Sequence, residues 1–413
     1  MSNNQNKNGP LKGVRVLELG HFIAAPFCTR LMADLGADVI KVEPPAKGDP
    51  VRQWGEMIDG KSVWWSVHGR NKRSVTLNLK HERARETVLA MVAECDIVVE
   101  NFRPGQLEKW GLGPDALGAA RPGLVMVRIS GYGQSGPYKS KAAFGVIGEA
   151  IGGIRHLTAY PAGSTAEDLP PIRTGISFGD SVAGLYGAFG AMVALHEQRS
   201  SDNPQPVRVV DVALTESVLS LLEGCIPEYS ALGKIRQPSG STLPTNAPSN
   251  AYRCADGAWV LIAANSDPLF NKLCTTMDRT ELLDNPDYRD NPSRVANAVR
   301  LDAEISAWTA GLASDEVSRL MEKADIPSTK IYTIEDCIRD PQFLAREMVR
   351  EVEDPRFGRL LHPGVVPAFG SGTAAGGIFW TGPEVGEHND NIYCELLGKS
   401  QSELAAMKKE GLV

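Results

Sequence analysis

The sequence predicts an α/β protein: a Rossmann-like, doubly wound large domain joined to a smaller α+β domain. Three observations carry that expectation. Short apolar strands alternate with helical segments through the first third of the 413-residue chain. A stretch rich in Gly, Pro, Ser and Thr at 233–248 then breaks the pattern. From Ile331 the chain reads as returning to the first lobe. At roughly 100–200 residues per domain, a chain of this length is too long for one core.

Residues 14–19 (VRVLEL) read as a short buried strand. Residues 25–35 space their apolar positions as a helix does, and Gly36 stops it. Residues 38–43 (DVIKVE) form the second strand, completing a strand–helix–strand unit that begins a parallel sheet. Further strands are expected at 74–79, 96–100 and 124–129, with an amphipathic helix at 82–93. Residues 181–195 are rich in Gly, Ala and Leu and predict a buried, closely packed helix. A strand at 207–214 runs into a helix through Leu222. Beyond the loop, 259–264 is a strand and 302–324 mostly helix. The resulting division is 11–224 for the first part of the large domain, 225–325 for the small domain and 326–413 for the return. Residues 1–10 are rich in Asn, with Lys7 the only charged side chain. They lack the apolar core of a secretory signal and read as a disordered arm.

The net charge of −7 argues against non-specific nucleic-acid binding. No apolar run approaches the ~20 residues that span a bilayer, so no membrane role is expected. Seven scattered cysteines, an odd number without a CxxC, point to reduced thiols in the cytoplasm rather than a disulfide framework. The seven histidines form no HExxH or similar pair, so no metal is expected.

Gly131-Tyr132-Gly133-Gln134-Ser135-Gly136 matches GxGxxG after a strand. A nicotinamide site would need a helix to start there and an acid on the following strand. Pro137 and a polar stretch follow instead, which favours a flexible glycine loop. Asn71-Lys72-Arg73 precedes a strand, and Asn101-Phe102-Arg103 follows one with Lys109 close behind. Ligands of open α/β sheets collect outside strand carboxyl ends. Lys72, Arg103 and Lys109 with a stacking Phe102 could therefore hold a phosphate and a purine, or form solvated basic turns. Asp180, in Gly179-Asp180-Ser181 before the small-residue helix, is either an N-cap or a carboxylate open to a substrate carbonyl. No Ser-His-Asp arrangement competes with it.

The chain resembles class III CoA-transferases, the group that includes formyl-CoA:oxalate, carnitine and succinyl-CoA:glutarate transferases. The resemblance runs from LKGVRVLELGHFIAAPFCTRLMADLGADVIKVEPP at Leu11 to the C-terminus. It includes GRNKRSVTLNLK, DIVVENFRPGQLEKWGL, ISGYGQSGPY, GISFGDSVAGLYGAFGAMVALHEQ and GEHNDNIYCELLG. It implies Asp180 as the covalent nucleophile. It implies CoA contacts from His21, Phe22, Ile23, Ala24, Asn71, Lys72, Asn101, Phe102, Arg103 and Lys109. Lys141 to Phe144 would lie beside the pantetheine. It also implies an obligate homodimer of interlocked rings, CoA as substrate rather than cofactor, and a small carboxylate acceptor. Pro44 and Pro45 stand where many relatives carry an adenosine-contacting Arg, with Lys47 as a possible substitute, and the glycine run of the oxalate enzymes is absent at 245–250. The expected reaction moves CoA from a donor such as succinyl-CoA to a dicarboxylate through an aspartyl-CoA thioester. The alternatives are a 2-methylacyl-CoA racemase, a nicotinamide oxidoreductase and a non-catalytic CoA-binding partner protein. Racemase relatives place a His-Asp pair where this chain has Phe144-Gly145, so the base for proton abstraction is missing.

Overall fold

The computed structural model describes residues 8–369 and 376–413, so most of the arm expected at 1–10 lies outside the described residues. A six-stranded parallel sheet organises the first of two compact units. Its strands are β1 (Arg15–Glu18), β2 (Asp38–Glu43), β3 (Lys72–Thr76), β4 (Ile97–Glu100), β5 (Leu124–Ser130) and β6 (Val207–Ala213). Their spatial order is β3-β2-β1-β4-β5-β6, a doubly wound arrangement whose direction of winding reverses at β1. Val16 of β1 lies opposite Val39 of β2 on one side and Ile97 of β4 on the other.

Successive residues of each strand feed opposite cores. Leu17, Ile40, Val98 and Met126 pack beneath helix α2 (Ala84–Ala93) with Ile392, Tyr393 and Leu404 of the returning C-terminal segment. Val16, Val39, Val99 and Val127 pack beneath α1 (Ala24–Asp34) and α4 (Phe178–Ser200). Helix α3 (Gly145–Ile151) precedes α4 in the chain. Covering both faces explains why the strands read as near-continuous apolar runs rather than alternating ones.

Helix α4 exceeds the expected 181–195 at both ends. By length and composition it could also cross a bilayer, contrary to the expectation that no such run exists. Its small residues explain its place in the core instead: a Cβ on Gly184 would meet the Ala24 carbonyl at 2.7 Å, and one on Gly187 would meet Ile129 at 3.1 Å. Its opposite face carries Leu185, Phe189 and Val193, all more than half exposed.

Strand β3 starts two residues before the expected 74–79, so Lys72 and Arg73 lie inside the sheet. Both are buried. Lys72 pairs with Glu18 at 2.9 Å, and Arg73 with Asp38. Removing one partner of such a buried pair costs about 3–5 kcal/mol, so these cations hold the sheet together.

The first unit takes the residues up to Arg155, then Arg173–Lys234 and Leu344–Val413; the second takes His156–Ile172 and Ile235–Phe343. Cys225, where the small domain was expected to begin, opens a helix (Cys225–Leu232) that stays in the first unit. The second unit is built on a three-stranded antiparallel sheet of β7 (Ser249–Arg253), β8 (Trp259–Ala263) and β9 (Ser328–Lys330), with β8 central. Helices α5 (Ala298–Thr309) and α6 (Ser314–Lys323) bury Leu301, Ile305, Val317 and Met321 against it. Residue 325 thus falls just before β9, whose pairing keeps the chain in this unit beyond Ile331.

Candidate active site

The carboxyl ends of β1, β4, β5 and β6 open into one cavity of about 270 Å³. His21, Phe22 and Ala24 follow β1, Asn101 to Pro104 follow β4, Ile129 to Gly131 close β5, and Leu214 follows β6. Lys141, Ala142, Ala143, Phe144 and Asp180 complete the lining. This is the crevice in which an open parallel sheet binds its ligand. A larger open cleft of about 970 Å³ in the second unit is lined by Asp315, Glu322, Glu335, Asp336 and Asp340. Its acidity disfavours a phosphate-bearing ligand, so size does not mark the site here.

The turn after β1 is held from three sides. Phe22 has a left-handed backbone, φ 65°, a conformation that costs a non-glycine residue about 1–3 kcal/mol and persists only where its surroundings enforce it. Asn101 supplies much of that enforcement. Its side-chain oxygen accepts the His21 N–H at 2.8 Å, and its amide donates to the His21 carbonyl at 2.8 Å. Asp49 accepts the Phe22 N–H at 3.1 Å, and the Lys41 ammonium donates to the Gly20 carbonyl at 2.5 Å. Lys41 and Asp49 are themselves paired and buried. Burial alone would push the Asp49 carboxyl up, but Lys41 and His21 beside it hold it well below the usual carboxylate range. Aromatic edges finish the wall: Phe102 meets His21 at 5.3 Å and Trp110 at 5.2 Å, while Phe22 meets Phe144 at 6.0 Å.

Asp180 stands in the first turn of α4, half-buried. The N–H groups of Asp180 itself and of Gly145, at the start of α3, face its carboxylate and favour its ionised form. Burial raises its pKa to about 6, with the Glu149 carboxylate adding to the effect and Arg173 opposing it. The close approach depends on glycine. A Cβ on Gly145 would lie 1.9 Å from Asp180 Oδ2, and one on Gly179 would lie 2.6 Å from the Gly145 carbonyl oxygen. The result is an accessible carboxylate of raised basicity, partly desolvated at the edge of an apolar-walled cavity. That arrangement suits covalent attack on a carbonyl.

Most of the residues singled out in the sequence meet at this cavity, but Ile23, Lys47, Asn71, Lys72 and Lys109 do not line it. The Asn71 side chain is fully buried and bridges Asp34 and Gly377 while accepting the Phe379 N–H. Lys72 is turned inward to Glu18 and the Pro26 carbonyl. Asn71 and Lys72 therefore pin the fold, and their side chains offer nothing to a nucleotide. Ile23 is buried against Val51 and Trp65 behind the turn. Lys109 is exposed on the short helix Gln106–Lys109, away from the lining. Lys47 is likewise exposed and lines neither neighbouring cavity.

Sequence reasoning missed a second cavity of about 270 Å³ that shares His21 and Phe102 with the first. Pro44, Leu79, Lys80 and Trp110 line it. The available signal was position, since residues 77–80 follow the carboxyl end of β3 as surely as Asn101 follows β4. Glu149 was also missed as a neighbour of Asp180, because no local pattern places the two acids together. The glycine run 131–136 leads into no helix before Gly145, which removes the phosphate-binding helix start a dinucleotide fold requires. Among the described residues, no group of three or more His, Cys, Asp or Glu is placed to hold a metal.

A model of one family, CoA-transferase family III, matches residues 11–389. The chain belongs to that family. It is 45% identical to the succinyl-CoA–D-citramalate CoA-transferase of Chloroflexus aurantiacus, over 98% of each chain. It is 30% identical to the human succinyl-CoA:glutarate CoA-transferase, over 99% of this chain and 91% of the other. Among solved structures it is similar to a CaiB/BaiF family protein from Brucella suis, with a TM-score of 0.82 and 32% identity, covering 94% of this chain and all of that one. Membership in CoA-transferase family III and the missing helix start after the glycine run set aside the nicotinamide reading.

Proposed function

We propose that the enzyme transfers CoA from succinyl-CoA to a small dicarboxylate, with Asp180 as the covalent nucleophile. The observation that carries this reading is the Asp180 carboxylate itself, on the first turn of α4 and lining a cavity built from four strand ends. A carboxylate oxygen of Asp180 attacks the donor thioester carbonyl, forming an acyl–aspartyl anhydride and expelling CoA thiolate. The thiolate attacks the aspartyl carbonyl, giving an aspartyl-CoA thioester and releasing succinate. The acceptor carboxylate then attacks that thioester and expels the thiolate again. Thiolate attack on the acceptor's acyl carbonyl yields the new acyl-CoA and restores Asp180. No proton or water is consumed, and each intermediate keeps the thioester's free energy. Carboxylate, thiolate and thioester are the only reacting groups, so no metal or added cofactor is proposed, and EDTA should leave turnover unchanged.

The two cavities joined at His21 and Phe102 support a path for the CoA arm, with Arg103, Lys141 and Lys80 as cations along it. Several relatives bear names that pair succinyl-CoA with citramalate, malate or glutarate, which supports a dicarboxylate acceptor. A second carboxylate needs a cation to offset its desolvation. The polar side chains that the sequence places near the catalytic loop or in the small lobe are Arg155, His156, Arg173, Asn246 and Asn250, and of these Arg155 is committed to Glu149. Arg173 donates to the Ile176 carbonyl at 3.3 Å and acts electrostatically on Asp180, so it is the better candidate. Asn246, Asn250 and His156 are engaged within the second unit, by Asn291, Asp302 and the Arg236 carbonyl. The reading is tested by kcat/KM for succinyl-CoA with a panel of dicarboxylates, set beside formyl-CoA with oxalate. A dicarboxylate should win by about tenfold or more, as expected where a built polar contact is used or left empty. A preference for formyl-CoA and oxalate would reject the substrate assignment.

We also propose that the enzyme works as a homodimer in the cytoplasm, the compartment that suits its seven free cysteines. Leu185, Phe189 and Val193, 57%, 66% and 51% exposed, lie four residues apart on α4 and make an exposed apolar stripe. A second copy is the occupant proposed for it, in keeping with the interlocked dimers the family resemblance implies. Sedimentation of the full chain should show a dimer that persists on dilution. A folded, active monomer would refute it.

A further inference from the structure

We propose that Glu149 is a positioning residue for the nucleophile: it anchors the turn that carries Asp180 and keeps a second buried negative charge beside it. The inference rests on the reading of Asp180 as nucleophile and adds a residue that acts through it. Glu149 is fully buried on α3. Its Oε1 accepts the Gly179 N–H at 3.3 Å, and its Oε2 accepts the Arg155 Nε–H at 2.9 Å. Helix α3 thus meets the start of α4 twice, where Gly145 lies against the Asp180 carboxylate and through the Glu149 hydrogen bond one turn further on. The two helix starts are so close that neither Gly145 nor Gly179 has room for a Cβ, so little water can enter to screen the two acids from each other.

A neutral glutamine would satisfy the Gly179 amide equally well. A buried carboxylate is costly unless paired, and Arg155, about one-fifth exposed, supplies that pairing. The charge itself therefore calls for a role, and Asp180 is the reacting group it acts on. The charged groups around Asp180 are Glu149 and Arg155 on the α3 side, Arg173 on the segment leading into α4, and Lys141 and Arg103 in the cavity wall. Burial and Glu149 raise Asp180, and Arg173 opposes them. A carboxylate made more basic while remaining ionised at neutral pH is the stronger nucleophile toward a thioester.

The test uses the full-length enzyme and the single-turnover rate of covalent adduct formation from succinyl-CoA, followed against pH, with the adduct located by mass spectrometry. In the wild type the rate should fall as pH drops through about 6. In Glu149→Gln the adduct should still form on Asp180, with the acid limb about one pH unit lower and the plateau rate several-fold down. In Arg155→Gln, which leaves Glu149 unneutralised, the limb should move up instead. A purely structural role would lower the plateau in both variants without moving either limb, and that result overturns the inference. If Glu149→Gln does not fold, the direction of the Arg155→Gln limb decides alone. Absence of any Asp180 adduct in the wild type would instead refute the nucleophile assignment, a separate failure with its own signature.

Discussion

Asp180→Ala is expected to reduce CoA transfer by at least about 10⁴-fold, since losing a covalent nucleophile removes the pathway rather than one contact along it. Asp180→Asn should fall comparably, because an amide cannot form the anhydride. CoA affinity should hold, since the cavity walls from β1 and β4 do not depend on the carboxylate. Thermal stability should hold or rise. Asp180 is raised to about 6 by burial and by Glu149, so the folded state bears the cost of that charge, and active-site groups commonly trade stability for function. Calorimetry, CoA binding and turnover on the same variants check the three parts. Near-normal turnover in Asp180→Ala would end the mechanism proposed above.

Gly145→Ala should be almost as damaging while changing the least matter. The added methyl would lie 1.9 Å from Asp180 Oδ2 and 3.1 Å from the Asp180 nitrogen. Something must move, and the atom nearest to hand is the nucleophile. A displacement of about 1 Å at a reacting atom can cost 10²-fold in rate, so kcat/KM should drop by about that factor or more. Some stability should be lost as well, because the start of α3 has no room for the methyl, so CoA binding by the folded variant separates the two effects. An active Gly145→Ala enzyme would mean that the carboxylate works from a position other than the one in which α3 holds it.

The racemase alternative is answered at the same position. Phe144 is exposed with its ring toward Phe22, and Gly145 lies against the Asp180 carboxylate. No imidazole stands there to abstract a proton. The space that a larger residue would occupy is the space the Asp180 carboxylate fills.

The corrections concern charged and amide side chains almost exclusively. Asn101 lines the cavity as expected of a CoA contact, and both ends of its amide also clamp the His21 backbone; the corrections are Lys72 and Asn71. Lys72 looked like a phosphate ligand because a lysine beside a strand end usually faces water. Here the strand begins at Lys72 itself, and its ammonium bonds Glu18, 54 residues upstream. Asn71 bonds a carbonyl 306 residues downstream. No local pattern announces partners at such separations.

What the sequence determined by itself was the part of the structure governed by local periodicity. Runs such as VRVLEL, DVIKVE and LVMVRI become strands buried on both faces because nearly every position has apolar packing to gain, whatever its exact neighbours. The glycine and alanine spacing of 178–200 likewise admits a closely packed helix, with Asp180 in its first turn. Only the tertiary structure decided which charges are ligands and which are struts. A cation carries the same letter whether it faces solvent, as Lys109 does, or is sealed beside an acid, as Lys41 and Lys72 are. Its fate depends on whether the fold brings a counter-charge close enough to offset desolvation. The same holds for Glu149, which becomes a neighbour of the nucleophile only because two glycines let α3 and α4 begin almost in contact.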